Sequence, residues 1–104
     1  QDIKKDLKDI EKFEFEGTGI VFTGYLRGEK NYIAQVEMHI DGEMAERANL
    51  PIGKNHRVDL FWKYQLPKGK HIVTFKWMNP NSKTKIHFSD ALIYSDGPLP
   101  VAHQ

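Results

Sequence analysis

Hydrophobic and polar residues alternate through most of this chain, and a period of two is typical of β-strands with one buried face. The clearest example is the segment 57–65, in which Val58, Leu60 and Trp62 fall on one side. Phe61 interrupts the polar side, so that second face is predicted to be partly apolar. The pattern therefore predicts an amphipathic strand with Leu60 and Trp62 turned towards the core.

A short Pro/Gly segment, 66–70, follows this strand, and the alternation resumes at Val73, Phe75 and Trp77. Proline fixes φ and glycine can adopt a positive φ, so the segment is typical of a turn. Two amphipathic strands joined in this way predict a β-hairpin. Because the hairpin contains both tryptophans, it is predicted to be the heaviest apolar part of the core. Stacking of Trp62 or Trp77 on a ligand is the alternative.

Residues 1–12 have a different pattern. Ile3, Leu7 and Ile10 fall at i, i+4 and i+7 among residues that are nearly all charged, which is the spacing of one helical face. The segment is too short to form a stable helix by itself. It is interpreted either as a helical turn docked on the domain or as a linker from a preceding domain. A start at Gln1 without Met suggests a processed chain or an excised domain.

The remaining pattern predicts an all-β domain over residues 13–95. Asp41-Gly42 is the strongest hairpin signal, because a type I′ turn needs a positive φ at both central residues. Short strands at regular spacing with Gly, Pro and Asp turns predict an antiparallel β-sandwich of seven or eight strands. The final segment, 96–104, contains two prolines and no period, and is predicted to be a flexible tail. The predicted strands are 13–16, 20–25, 32–40, 43–49, 57–65, 73–77 and 86–94.

Composition excludes several classes of function. The absence of cysteine excludes a disulfide framework and a thiolate metal site. A net charge of +1, from 15 basic and 14 acidic residues, leaves no basic stripe for nucleic acid. No apolar run approaches the ~18 residues of a membrane span, and no signal peptide opens the chain. No GxSxG, P-loop or HExxH motif is present, so the protein is not predicted to be an enzyme.

The predicted topology indicates where a binding site would lie. If consecutive strands run antiparallel and each crosses the sandwich once, successive connections alternate between its two ends. The tight turns would then share one end: 17–19, 41–42 and 67–70. The longer polar connections would share the other end: 26–31, 50–56 and 79–85. Loops grouped at one end of a rigid sandwich commonly carry binding residues, although solvated connections without a function are the alternative.

The residues of that loop end suit a sugar. Amide and charged donors meet the need of hydroxyl groups for directional hydrogen bonds, and the apolar C–H face of a sugar stacks on an aromatic ring. The candidate ligand-binding residues are Tyr25, Arg27, Asn31, Tyr32, Asn55, His56, Trp77, Asn79 and Asn81.

No cofactor or metal site is predicted. The five histidines lack the spacing of metal ligands, and His71 is expected to cap the turn that precedes it. Asp90 lies inside an otherwise apolar strand, where a carboxylate needs either backbone donors or a bound cation. Backbone donors are the favoured interpretation, and structural Ca²⁺ is the alternative.

Several short stretches occur in an order that resembles a known fold family. They are Phe15–Ile20 with Phe22–Gly24, Ile40–Glu43, Leu60-Phe61, Leu66–Val73 and Phe88–Ala91. Together they resemble the galactose-binding-like jelly roll, an accessory module of many bacterial glycoside-processing enzymes, over residues 13–95. More narrowly, the chain is similar to the C-terminal β-sandwich of secreted bacterial proteins of the ADP-ribosylglycohydrolase type.

The resemblance implies a non-catalytic, carbohydrate-binding accessory module of a larger bacterial enzyme, located in the periplasm or outside the cell. It leaves one alternative, a structural domain that packs on a neighbouring catalytic domain without binding sugar. The implied partners are therefore a carbohydrate or an adjacent catalytic domain, and neither nucleic acid nor a membrane.

Overall fold

The computed structural model of this protein describes residues 1–52 and 58–95. The described ranges contain one turn of 3₁₀ helix, Leu7–Asp9, and no helix with the length and apolar character needed to cross a bilayer. They also contain eight strands: β1 (Asp2–Asp6), β2 (Phe13–Glu16), β3 (Gly19–Arg27), β4 (Ile33–Ile40), β5 (Glu43–Pro51), β6 (Val58–Lys63), β7 (Lys70–Trp77) and β8 (Lys85–Tyr94).

The strands form two antiparallel sheets of four strands each. Sheet A has the order β1-β8-β3-β6, and sheet B has the order β2-β7-β4-β5. The chain crosses between the sheets at every connection except the β4–β5 hairpin, which is the arrangement of an eight-stranded jelly roll. The prediction of an all-β antiparallel sandwich is confirmed.

Aromatic side chains fill the space between the two sheets. The ring of Phe75 from sheet B lies among three buried phenylalanines of sheet A, with centroid distances of 5.2 Å to Phe22, 5.3 Å to Phe61 and 4.8 Å to Phe88. Rings at these separations and tilts pack favourably beyond their burial alone. This cluster holds the two sheets together and positions the loops at their ends.

The predicted hairpin between the segments 57–65 and 73–77 is wrong. In the described residues β6 pairs with β3 in sheet A, whereas β7 pairs with β2 and β4 in sheet B. The connection between them runs from one sheet to the other instead of folding back. It is held at the end of the sandwich because the Leu66 N–H donates to the Thr18 carbonyl, at 2.9 Å, and the Gly17 N–H donates to the Gly69 carbonyl, at 3.0 Å.

The prediction that Trp62 packs in the core is also wrong. The pairing of β6 with β3 shifts register between Phe22 and Thr23, so β6 contains a bulge. A bulge reverses the alternation of faces, and as a result the neighbours Leu60 and Phe61 are both buried. Trp62 is turned to the outer face of sheet A and is 47% exposed.

The leader segment is a strand rather than a helix. Asp2–Asp6 pairs with β8 as an edge strand of sheet A, and Leu7–Asp9 forms one 3₁₀ turn, so the leader is docked on the domain but mainly as a strand. A register shift between Asp2 and Lys5, where Lys4 has a positive φ of 52°, allows the apolar side chains to reach the core. Ile3, Leu7 and Ile10 all pack there, so the expected apolar positions are buried. The predicted tail, 96–104, lies outside the described residues.

The end of the sandwich that carries the tight turns is fastened by a histidine. Asp41 and Gly42 have φ values of 54° and 84° in the β4–β5 turn, as the Asp-Gly hairpin signal predicted. His71 is buried, with Nδ1 2.6 Å from the Asp41 carboxylate and Nε2 2.6 Å from the Pro67 carbonyl. Both ring nitrogens face acceptors, an arrangement that favours the doubly protonated ring. His71 caps the turn before it, as expected, and also binds the hairpin turn.

Candidate functional site

Three connections meet at the other end of the sandwich. The β3–β4 connection, 28–32, and the β7–β8 connection, 78–84, touch so closely that a Cβ on Gly28 would lie 2.5 Å from the hydroxyl oxygen of Thr84. The segment between β1 and β2 lies at the same end and borders the β7–β8 connection. Of the connection between β5 and β6, only Ile52 lies within the described residues.

A cleft of about 920 Å³ opens between the β7–β8 connection and the segment that follows β1. We call it the rim cleft. Its apolar lining is Leu7, Ile10, Phe75, Trp77, Pro80 and Ile86, and its polar lining is Asp6, Lys8, Asn81, Ser82, Thr84 and Lys85. The apolar side chains belong to the edge of the core, and the polar ones come mainly from the loops. The cleft therefore combines an aromatic surface with hydrogen-bonding groups around it.

The ring of Trp77 is held in the rim cleft by a chain of hydrogen bonds. Its Nε1 donates to the Tyr32 hydroxyl at 2.8 Å, and that hydroxyl donates to the Asn79 backbone carbonyl. The Asn79 side chain accepts from the Gln35 N–H at 2.8 Å and donates to the Ile33 carbonyl at 3.0 Å. Three of the sequence-predicted residues are thus brought together. The polar groups of Tyr32 and Asn79 are engaged in the hydrogen bonds that position Trp77. The half-buried ring of Trp77 lines the cleft.

The turn at residues 81–84 presents unused polar groups. The Asn81 side-chain oxygen accepts from the Lys83 N–H at 2.8 Å, and its backbone oxygen accepts from the Thr84 N–H at 3.1 Å. These bonds orient the turn and leave the Asn81 amide nitrogen and the Ser82 hydroxyl without a partner among residues 1–52 and 58–95. The buried Thr84 hydroxyl has no partner in those ranges either. The Asn81 amide nitrogen and the Ser82 hydroxyl can therefore offer hydrogen bonds to a ligand, whereas the Thr84 hydroxyl oxygen is buried.

Charge at the rim cleft comes from Lys8, Lys85 and Asp6. The Asp6 carboxylate lies 3.0 Å from Nδ1 of His87, so it already has a partner. Neither lysine has a carboxylate within ion-pairing distance in the part of the chain that the structure describes. Within the described residues, the charged lining of the rim cleft is therefore one carboxylate, which is already bound to His87, and two lysines without an ion-pair partner.

Two predicted site residues lie on the outer face of sheet A instead of in the cleft. Tyr25 and Arg27 alternate along β3 with the buried Leu26, so they point away from the core. The Tyr25 ring stacks on His87 at a centroid distance of 4.8 Å, and the Arg27 guanidinium lies 4.9 Å from the Tyr25 centroid. They lie there because β3 continues to Arg27, beyond the predicted end of the strand at Tyr25.

The other predicted residues divide as follows. Asn81 lines the rim cleft, and Asn31 is exposed in the β3–β4 connection. Asn55 and His56 lie outside the described residues. Sequence reasoning missed the contribution of Leu7 and Lys8. The sequence signal for this contribution is the set of apolar positions in the otherwise charged segment 1–12, because such side chains are expected to be buried against the rest of the domain.

The structure shows no metal-binding arrangement in the described ranges, where no three His, Asp or Glu side chains are grouped in that way. Asp90 lies half-buried on the outer face of sheet A beside its strand partner Asp2. A hydrogen bond to the Asp90 carboxyl, followed by the charge of Lys4, lowers the pKa of Asp2.

The bond network around Trp77 predicts different effects for two tyrosines. Tyr32→Phe removes the acceptor of the Trp77 Nε1 and the donor to Asn79, and should lower the free energy of unfolding by about 1–2 kcal/mol. Tyr25→Phe is the matched control, because the Tyr25 hydroxyl has no hydrogen-bond partner in the described ranges. Urea denaturation of both variants measures the difference. Equal stability of the two variants would contradict the assigned role of Tyr32.

Comparisons with known proteins place the chain only loosely. No protein-family profile matches it, and no curated protein matches its sequence. Among solved structures it is similar to a carbohydrate esterase family 2 enzyme with a carbohydrate-binding domain from Corynascus thermopiles (Myceliophthora fergusii), at 21% identity and a TM-score of 0.49. The match covers 86% of this chain and 26% of the esterase chain, so this chain spans about a quarter of that protein. A likeness at this level assigns neither a family nor a ligand.

Proposed function

We propose that this chain is a non-catalytic carbohydrate-binding module that takes a glycan in the rim cleft. One observation carries the proposal: the Trp77 ring, fixed by Tyr32, lines an open cleft together with the unpartnered polar groups of Asn81 and Ser82. A rigid ring binds the C–H face of a sugar without losing conformational freedom, and neighbouring amide and hydroxyl groups bind its hydroxyls. The cleft volume falls in the range of small-ligand sites, roughly 300–1,000 Å³.

The charged groups of the rim cleft support a binding role rather than a hydrolytic one. Glycoside hydrolysis ordinarily requires two carboxyl groups on opposite sides of the scissile bond. Among the described residues that line the cleft, Asp6 is the only carboxylate, and it is engaged by His87. We therefore propose that the chain belongs to a larger bacterial enzyme in the periplasm or outside the cell, and that any hydrolysis occurs in another domain.

A second candidate function rests on the outer face of sheet A. Trp62, Val21 and Leu92 form one row across β6, β3 and β8, and the two outer members are each 47% exposed. Exposed apolar surface of this kind is common at interfaces. It favours the alternative of a structural domain that packs on a neighbouring catalytic domain, for which we propose the ADP-ribosylglycohydrolase type on the sequence resemblance alone.

Affinity electrophoresis of the chain in gels containing polysaccharides separates the two candidates. We expect at least one polysaccharide to retard the protein, and Trp77→Leu to weaken that binding about tenfold or more, equivalent to about 1.4 kcal/mol. Leucine keeps an apolar side chain at the site while removing the aromatic face.

Trp62→Leu is the matched control, because it removes the other tryptophan at a place far from the cleft lining. Its binding should be unchanged, and circular dichroism verifies that both variants are folded. A chain that no polysaccharide retards, or binding that Trp62→Leu weakens while Trp77→Leu does not, would overturn the rim-cleft proposal.

A further inference from the structure

Basic residues from two elements line the rim cleft. Lys8, from the turn after β1, and Lys85, at the start of β8, line the cleft itself. Lys83 lies in the adjoining turn, whereas Arg27, the strand partner of Lys85, lies on the outer face of sheet A and is not part of this group. The chain as a whole carries a net charge of only +1, so this grouping reflects an uneven distribution of charge and not a generally basic protein.

No carboxylate neutralises this group in residues 1–52 and 58–95. None of the three lysines, Lys8, Lys83 and Lys85, forms an ion pair there. The neighbouring acid, Asp6, is engaged by His87.

We propose that the rim cleft selects acidic glycans, whose sugars carry carboxylate or sulfate groups. The inference rests on the proposed function and adds the chemical class of the ligand. Unpaired cations beside a ligand site attract anions over roughly a Debye length, about 10 Å at 0.1 M salt, and form charge-assisted hydrogen bonds when the anion arrives. The Trp77 ring would still bind the apolar face of a sugar, so the site combines stacking with charge selection.

The test is affinity electrophoresis of the full chain against paired polysaccharides of the same backbone. Polygalacturonate and its methyl-esterified form differ only in free carboxylates, and alginate, chondroitin sulfate and dextran sulfate extend the acidic panel, with dextran as the neutral partner of the last. We expect at least one acidic polysaccharide to bind more tightly than every neutral one, by about tenfold. Preference within the panel shows whether carboxylate or sulfate is the recognised group.

Two double variants test whether the lysines of the rim cleft cause the preference for acidic polysaccharides. Lys8→Gln combined with Lys85→Gln should weaken binding of the acidic polysaccharide about tenfold, because each substitution removes a charge-assisted contact. Lys63→Gln combined with Lys70→Gln removes the same charge from strand ends at the opposite end of the sandwich, and should leave binding unchanged.

The outcomes separate this inference from the proposed function. If a neutral polysaccharide binds as tightly as any acidic one, the selectivity for acidic glycans is wrong while carbohydrate binding stands. If both double variants weaken binding equally, the charge of the protein as a whole and not the rim cleft is responsible, and the inference is again overturned. If no polysaccharide of either kind binds, the proposed function itself fails.

Discussion

Replacing Phe61 with alanine should lower the free energy of unfolding by about 3–5 kcal/mol, whereas the same change at the next residue, Trp62, should cost less than about 1 kcal/mol. Phe61 is fully buried and contacts Phe75 and Phe88 between the sheets, so its removal leaves a cavity in the centre of the core. Trp62 is 47% exposed on the outer face of sheet A, so its replacement removes a side chain that is only partly buried.

The two variants together test the bulge in β6. Urea denaturation followed by circular dichroism is the suitable measurement, because it does not depend on the fluorescence of the tryptophan that one variant lacks. If Trp62→Ala proved as costly as Phe61→Ala, the strand would follow the uninterrupted alternation of its sequence. The bulge, and with it the outward direction of Trp62, would then be wrong.

Replacing His71 with alanine should lower the free energy of unfolding by about 2–3 kcal/mol at neutral or mildly acidic pH, since a buried side chain with two hydrogen bonds is lost. The variant should also change how stability depends on pH. Burial alone would lower the pKa of His71, but its hydrogen bonds to Asp41 and Pro67 outweigh burial and raise that pKa above its ordinary value of 6.5.

The direction of the pH effect follows from proton linkage. A group whose pKa is raised by folding stabilises the folded state fully below the unfolded value, and loses that contribution as pH rises through the folded value. The free energy of unfolding of the natural chain should therefore decline as pH increases above about 6.5, and His71→Ala should lack this decline. The Asp41 carboxylate behaves oppositely, because hydrogen bonds from His71 and from the Ile72 N–H lower its pKa, so its contribution is lost on acidification.

Asp41→Asn is the matched control for this prediction. It keeps the size of the side chain and removes the negative charge that His71 faces, so it should reduce the same pH-dependent decline. Urea denaturation at a series of pH values measures the slope for all three proteins. A decline of equal steepness in the natural chain and in His71→Ala would show that another group causes it.

Alternation of apolar and polar residues predicted the strands of this fold well, because it reports which residues face a core irrespective of their partners. The Asp-Gly turn was predictable for a local reason, namely the positive φ at both residues. The partners of each strand were not predictable. The Pro/Gly segment after β6 is compatible with a hairpin and with a crossing between sheets, and only long-range packing chooses the crossing.

The direction of Trp62 shows a second limit. A one-residue change in register turns every later side chain of a strand to the opposite face, and a bulge does so without a mark in the sequence. The leader shows a third limit, because three apolar positions in twelve residues fit one helical face as well as an irregular edge strand. For the leader, the packing of its apolar positions was easier to predict than their geometry.

For the candidate site, the sequence located the end of the sandwich better than the individual groups. The spacing of turns and loops predicted that Tyr32, Trp77 and Asn79 lie near one another, which requires only the antiparallel order of strands. The division between a ring that lines the cleft and residues that hold it could not be predicted, since it depends on individual hydrogen bonds. The presence of Lys8 in the cleft lining could not be predicted either, because it requires β1 to pair with β8 in sheet A.

The pairing of β1 with β8 constrains how the chain reaches its folded state. Asp2 lies opposite Asp90, so β1 finds its partner only after the strands between β1 and β8 are available. During synthesis on the ribosome, β1 must wait while every intervening strand emerges. Topologies dominated by such distant pairings fold slowly, on the order of milliseconds to seconds. The segment just after β1 forms part of the lining of the rim cleft. The cleft is therefore completed among the last parts of the domain to fold.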